Sequence, residues 1–254
     1  MACLRLYQFP REVPRSAWPF PWLGRRIDAV DIEPNVFDSS RFFHEDARAV
    51  VSNPAVHLHA ADGRNFLLMT DNVYDVITID PAPPLWSAGT VNLYTKEFLT
   101  LCKEHISEGG VVSLWLPPAP VTDLAMIMKT FTEVFPDATL WRGPNFPGFY
   151  CIGGKKSFDQ SRESLERVVA SLLKAPDLGE WFPRLRDPSV LRRMYVFDSR
   201  RFAQLVKPFP DVTDDRPYTE FPLWRGVLAD RVPILSAENL ARMVGQPEAP
   251  SAKP

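Results

Sequence analysis

Cysteine is scarce in this chain, with only Cys3, Cys102 and Cys151 among 254 residues. An odd number without metal-ligand spacing excludes a disulfide framework, so free buried thiols in a reducing compartment, the cytoplasm, are expected. Histidine is nearly as thin. His57 and His59 share one strand face, but His44 and His105 complete no ligand pattern with them, so no metal is expected. Charge of one sign is lacking too: 29 basic against 31 acidic residues leave a formal charge of -2. That balance offers no broad footprint for nucleic acid or an anionic membrane surface and leaves small polar molecules as the expected partners. The longest apolar stretch, Val111 to Met128, is interrupted by Pro117, Pro118, Pro120 and Asp123. It falls short of the run of about 20 apolar residues that a spanning helix needs. The start of the chain has no basic segment leading into an apolar run and cleavage site, so no secretory signal is expected.

What is present is apolar content of 45% over a length that buries a sizeable core, consistent with one main domain and an appendage. Residues 1 to 24 mix Arg, Pro and Trp, and Pro10, Pro14, Pro19 and Pro21 predict irregular chain there. From Ile27 the texture changes. Strands are predicted over Ile27–Ile32, Val56–Ala60, Tyr74–Asp80 and Val111–Leu116. The helices between them run from Pro34 to about Val51, over Asn65–Met69 and over Lys96–Ile106, with Gly109-Gly110 as the stop before the last strand. Strictly alternating strands and helices imply a mostly parallel sheet with ligand sites at the strands' carboxyl ends. A helix over Asp123–Phe135 follows, and Thr139–Arg142 with Phe149–Gly153 suit a closing antiparallel hairpin. Residues 156 to 245 read as a helical extension packed on the same domain, with helices over Arg162–Lys174 and Ser189–Val206. Residues 246 to 254 read as a disordered tail.

Candidate site residues cluster after the strands. Asp31 and Glu33 stand where an acidic side chain can accept both hydroxyls of a nucleoside ribose, although a solvated acidic turn has the same appearance. Asp62 and Gly63 open the turn after the next strand: the carboxylate can accept from an adenine amino group and the glycine admits a ring, or the pair is an ordinary Asp-Gly turn. Asp80 ends the most apolar strand and opens into the loop Pro81 to Thr90, longer than the usual connection of about 2–6 residues. That makes it the candidate catalytic group, with a structural turn cap as the alternative. Tyr94 lines the same pocket or packs in the core. Asp214 and Asp215, within Thr213 to Glu220, form part of a lid or a local salt-bridge knot around Arg216.

Taken in order, Val30-Asp31-Ile32-Glu33-Pro34, Asp62-Gly63-Arg64, Tyr74 to Asp80, Leu93-Tyr94 through Phe98 and Gly109-Gly110 resemble the signature of the spermidine synthase-like family. Some of its bacterial members carry a transporter-like membrane part, with no counterpart here. The resemblance spans about Ile27 to Gly154 and implies a methyltransferase-like Rossmann fold over residues 25–155. It further implies aminopropyl transfer from decarboxylated S-adenosylmethionine to a small-molecule amine, with no metal. In that scheme Asp31 holds the ribose, Asp62 lies near the adenine and Asp80 is the base on the attacking amine. Two departures stand out. Pro83 occupies the place of a second aspartate that helps hold the diamine, which speaks against putrescine as acceptor. The first strand and its glycine-rich turn are expected to be missing ahead of Ile27, where only Gly24 remains. A displaced reading frame over residues 1 to 24 or a truncated paralogue fits that gap. The open edge it would leave predicts homodimerisation. A non-catalytic degenerate binding domain and a small-molecule methyltransferase using S-adenosylmethionine are the alternatives.

Overall fold

The computed structural model describes residues 2–8, 26–39, 42, 52–81, 88–143, 148–157, 163–164, 166–167, 170 and 188–220. Within them the strands are β1 (Ala2–Gln8), β2 (Arg26–Asp31), β3 (Val56–Ala60), β4 (Tyr74–Pro81), β5 (Ile106–Leu116), β6 (Thr139–Arg142), β7 (Phe149–Gly154) and β8 (Tyr195–Phe197). The helices are α1 (Asn35–Ser39), α2 (Gly63–Met69), α3 (Ala88–Val91), α4 (Lys96–Glu104), α5 (Val121–Val134), α6 (Pro188–Met194) and α7 (Ser199–Val206). All eight strands join one sheet in the order β3-β2-β1-β4-β5-β7-β6-β8. The registers make β2 to β6 run one way and β1, β7 and β8 the other. A mostly parallel α/β sheet closed by an antiparallel β6–β7 hairpin is what the alternation predicts.

The main departure is at the amino end. The prolines predict irregular chain over residues 1 to 24 and no first strand, yet Ala2–Gln8 is a strand and lies between β2 and β4. It runs antiparallel to both neighbours, so the slot is filled in reverse. The physical reason is a short period-2 pattern ahead of the first proline. Leu4 and Leu6 are buried while Arg5 between them is exposed. Leu4 faces Val30 and Ile79 in register, and Leu6 faces Asp28 and Ile77. With Val112, Leu114, Cys151 and Leu140 they line the face that packs under α2, α4, α5 and α7.

Three further expectations change. Gly109 and Gly110 do not stop the chain before a strand; they lie within β5, which begins at Ile106 and carries a register shift opposite Tyr74 and Val76. A Cβ on Gly110 would stand 3.0 Å from Ile106 Cβ and Ser107 N, so the irregular turn of the strand uses the missing side chain. The single helix over Ser189–Val206 is divided: Tyr195-Val196-Phe197 prefers extended chain and pairs with β6, and Asp198 caps a fresh helix by accepting from Arg201 N at 2.8 Å. The helix from Pro34 is seen over Asn35–Ser39. Its expected continuation, the Arg162–Lys174 helix in most of its length, the loop containing Pro83, Gly24 and the 246–254 tail lie outside the described residues.

Candidate active site

The crossovers from β2 to β3 and from β4 to β5 lead to opposite sides of the sheet, so the order reverses between β2 and β4, where an open α/β sheet forms its ligand crevice. Asp31 ends β2 and Asp80 is the penultimate residue of β4. Both stand opposite the backbone of Cys3, which makes one row Asp31, Cys3, Asp80 across three strands. Two strand spacings separate the carboxylate-bearing residues by about 10 Å. Asp31 is buried and its Oδ1 accepts from Glu33 N at 2.9 Å; Glu33 in turn accepts from Asn35 N and Nδ2. These bonds hold the acidic turn after β2 in one shape.

Asp80 shares its face of the sheet with Thr78, Arg5, Ser113, Trp115 and Tyr150, as the registers and the pleat require. Burial raises the Asp80 carboxyl above its ordinary range, and the Arg5 guanidinium, with Nη1 3.4 Å from Oδ2, partly opposes that rise. A carboxylate poised upward suits proton acceptance from an ammonium. Tyr94 is fully buried, and burial together with the Asp80 charge drives its phenol well above the usual value. Its hydroxyl has no hydrogen-bond partner among the described residues. Tyr150 on β7 also feels Asp80, after burial as the larger cause. Tyr94 therefore packs in the core, near enough to Asp80 to feel its charge.

The other candidates divide. Asp62 caps α2, its Oδ1 accepting from Asn65 N at 2.9 Å, which is the structural role open to it; Oδ2 carries no part of that cap. Gly63 does admit a close neighbour, but the neighbour is the Leu4 side chain of β1, 3.3 Å from where a Cβ would stand, and not a ligand ring. Asp214 does not pair with Arg216 in a local knot. Arg64 grips it from 150 residues away through two bonds of 2.7 and 2.5 Å, and the backbone N–H of Asp214 donates to Glu97. The Arg64 hydrogen bond pulls the Asp214 carboxyl below its ordinary range. Both Asp214 and Asp215 are exposed on the turn closed by Thr213 and Arg216. This turn ties the late segment to the mouth of the α2 turn. No group of acidic, histidine and cysteine side chains among the described residues can hold a metal.

Arg5, Thr78 and Trp115 have no motif in the sequence. Arg5 is 75 positions from Asp80 and reaches it only because β1 is inserted in reverse. The alternation Leu4-Arg5-Leu6 was the one available signal. Likewise the buried Asp28 collects Arg26, Tyr74 and His59, at 2.7, 3.0 and 2.8 Å. That cluster supports the sheet beneath α2, on the face opposite Asp80.

Sheet order, crossovers and carboxyl-edge acids define a methyltransferase-like Rossmann α/β protein. A solved spermidine synthase in complex with the transition-state analogue AdoDATO superposes with a TM-score of 0.55 at 15% identity, covering 72% of this chain and 62% of that one. Human methyltransferase-like protein 13 in complex with SAH gives 0.50 at 19%, covering 63% and 71%. These likenesses establish the fold. Residues 11–135 match the spermine/spermidine synthase domain. The polyamine aminopropyltransferase of Bacillus subtilis is 28% identical over 142 residues, 52% of this chain and 50% of its own length. That of Sulfurisphaera tokodaii is 30% identical over 113 residues, 44% and 37%. The similarity to spermidine synthases thus lies in the first half of the chain, and the chain spans about half the length of the curated relatives it matches. No helix among the described residues is long and apolar enough to cross a membrane.

Proposed function

We propose that the crevice between β2 and β4 binds an adenosyl-sulfonium donor and that the chain acts as a polyamine aminopropyltransferase-like transferase on a small-molecule amine. The observation that carries this reading is the row Asp31, Cys3, Asp80, which sets a ribose-type acid and a candidate base across the switch point of the sheet. A sulfonium carbon is already activated, so the protein has chiefly to align an amine behind it and accept a proton. The nitrogen–carbon bond forms as the carbon–sulfur bond breaks; the sulfur keeps the bonding pair and leaves as the 5′-thioether of adenosine, 5′-methylthioadenosine. The ammonium proton passes to Asp80, whose raised pKa favours that step. Asp31 and Glu33 hold the ribose, and Asp62 Oδ2 meets the adenine amino group. The cytoplasm is the compartment this reading assigns, in keeping with the buried free thiols of Cys102 and Cys151.

One observation favours a second reading, a binding domain without catalysis: Arg5 of the reversed β1 stands on the candidate base. Calorimetry with 5′-methylthioadenosine and turnover of decarboxylated S-adenosylmethionine with amines separate the two. The transferase reading expects nucleoside binding that Asp80→Asn leaves nearly unchanged, with turnover lowered by roughly 10²–10⁴-fold. Absence of heat with every adenosyl ligand refutes it, and full turnover by the Asp80→Asn variant removes Asp80 from the chemistry.

A further inference from the structure

We infer that Arg64 and Asp214 are positioning residues for the nucleoside: their ion pair fixes the first turn of α2 so that Asp62 Oδ2 selects an adenine amino group over other purine substituents. The inference rests on the proposed adenine contact of Asp62 and goes beyond it in assigning what sets that contact. The local sequence gives α2 little to hold it. Its seven residues make about two turns, and only Gly63 and Leu67 among them are buried. Helices this short depend on tertiary contacts. Arg64 is the second residue of α2, where a cation faces the positive end of the peptide dipoles, so it does nothing for the helix by itself. Asp214 accounts for it, accepting from Nη1 at 2.7 Å and from Nη2 at 2.5 Å. Two such bonds fix the plane of the guanidinium as well as its distance.

Asp214 serves as a fixed point because its segment is anchored elsewhere. Its backbone N–H donates to Glu97 Oε2 at 3.0 Å, Lys96 N donates to the Val212 carbonyl at 2.9 Å, and Val212 N donates to Thr130 Oγ1 at 2.7 Å. The segment therefore follows α4 and α5, and the ion pair carries that position to the start of α2. The two side chains are 23% and 39% exposed, so solvent screening leaves the pair a small share of overall stability. Its effect falls on where the turn stands. Asp62 Oδ1 is committed to the cap bond with Asn65 N, so placement of the turn sets the direction of Oδ2. The pair also controls charge. The hydrogen bond to Asp214 raises the Arg64 guanidinium, burial opposes that rise, and the charges of Asp214, Glu97 and Asp62 add to it. A guanidinium that feels the Asp62 charge, once released from Asp214, competes with the adenine amino group for that carboxylate.

Calorimetry on the full chain with 5′-methylthioadenosine and 5′-methylthioinosine, in which an oxygen replaces the adenine amino group, tests this. Both nucleosides meet the same folded protein, so any loss of folded fraction cancels in the ratio of their affinities. The wild-type chain prefers the adenine compound by about 10- to 100-fold, the worth of a hydrogen bond to a charged group. Asp214→Asn removes most of that preference. Arg64→Gln lowers it less, because no cation is left to compete for Asp62, and adding Arg64→Gln to Asp214→Asn restores part of what the single change lost. Arg64→Lys, a charge without the fork, falls between Arg64→Gln and wild type. A ratio that stays at the wild-type value in Asp214→Asn and Arg64→Gln, whether or not both affinities weaken together, overturns the proposal and leaves the Asp62 contact standing. Equal affinity of the wild-type chain for the two nucleosides overturns the Asp62 contact and the positioning role with it, while the donor site stands. Binding of neither nucleoside refutes the donor-site reading and this proposal together.

Discussion

Truncation of Leu6 to alanine tests whether the amino-terminal strand is a working part of the sheet. Leu6 is fully buried between Asp28 of β2 and Ile77 of β4. The change removes three carbons, each worth about 0.8 kcal/mol on transfer from water, and leaves a cavity costing about 24 cal/mol for every Å³ that neighbours fail to fill. Strands on both sides restrict collapse, so the sum is about 3 kcal/mol or more, within the range of about 2–5 kcal/mol for buried Leu→Ala changes. Against a total stability of about 5–15 kcal/mol this is a large fraction. With a urea slope of about 1–3 kcal/mol per molar, the midpoint of unfolding followed by tryptophan fluorescence falls by about 1 M or more. Arg5→Ala is the matched control: its side chain points to the other face, is half exposed and holds a partly screened ion pair worth about 0–1 kcal/mol. If Leu6→Ala moves the midpoint no more than Arg5→Ala does, β1 does not fill the slot between β2 and β4.

Two further outcomes follow from buried contacts. Burial works to raise the Asp28 carboxyl, but hydrogen bonds from Arg26, His59 and Tyr74 outweigh it and the net shift is downward. A depressed folded value means that this stabilisation is complete above the ordinary carboxylate range and is lost as pH falls through the lower folded value; Asp28→Asn flattens that acid limb in urea midpoints measured from pH 7 to 2. At Gly153, a Cβ would lie 2.5 Å from Phe135 Cβ and 2.6 Å from its Cγ, so Gly153→Ala destabilises by about 1–3 kcal/mol through overpacking, read as a drop in thermal midpoint.

Much of the central sheet is legible in the sequence because burial on both faces leaves a strong local trace. Tyr74-Asp75-Val76-Ile77-Thr78-Ile79-Asp80 carries an unbroken β-branched run from Val76 to Ile79, and the structure places a strand over Tyr74–Pro81. The three acids after the strands are legible for the same reason: each stands at the end of an element whose limits the apolar pattern marks. Gly109-Gly110 misleads because glycine marks both a stop and a bulge, and only pairing with Tyr74 and Val76 across the shift decides which. Thr213 to Glu220 misleads differently. Proximity in sequence suggests an internal knot, whereas Arg64 arrives through the fold to take Asp214.

The amino-terminal strand marks the boundary between the two kinds of information. By itself the sequence determined the α/β order from Ile27 onward, the spermidine synthase-like signature and the positions of Asp31, Asp62 and Asp80, all carried by local periodicity and by spacing along the chain. Tertiary structure alone decided that Ala2–Gln8 would enter the sheet, and that it would run against its neighbours. Strand direction is a property of pairing, set by which backbone groups and which apolar face find partners, and a run such as Leu4-Arg5-Leu6 reads the same in either sense. From that one orientation follow the burial of Leu4 on Gly63 and the placement of Arg5 against Asp80.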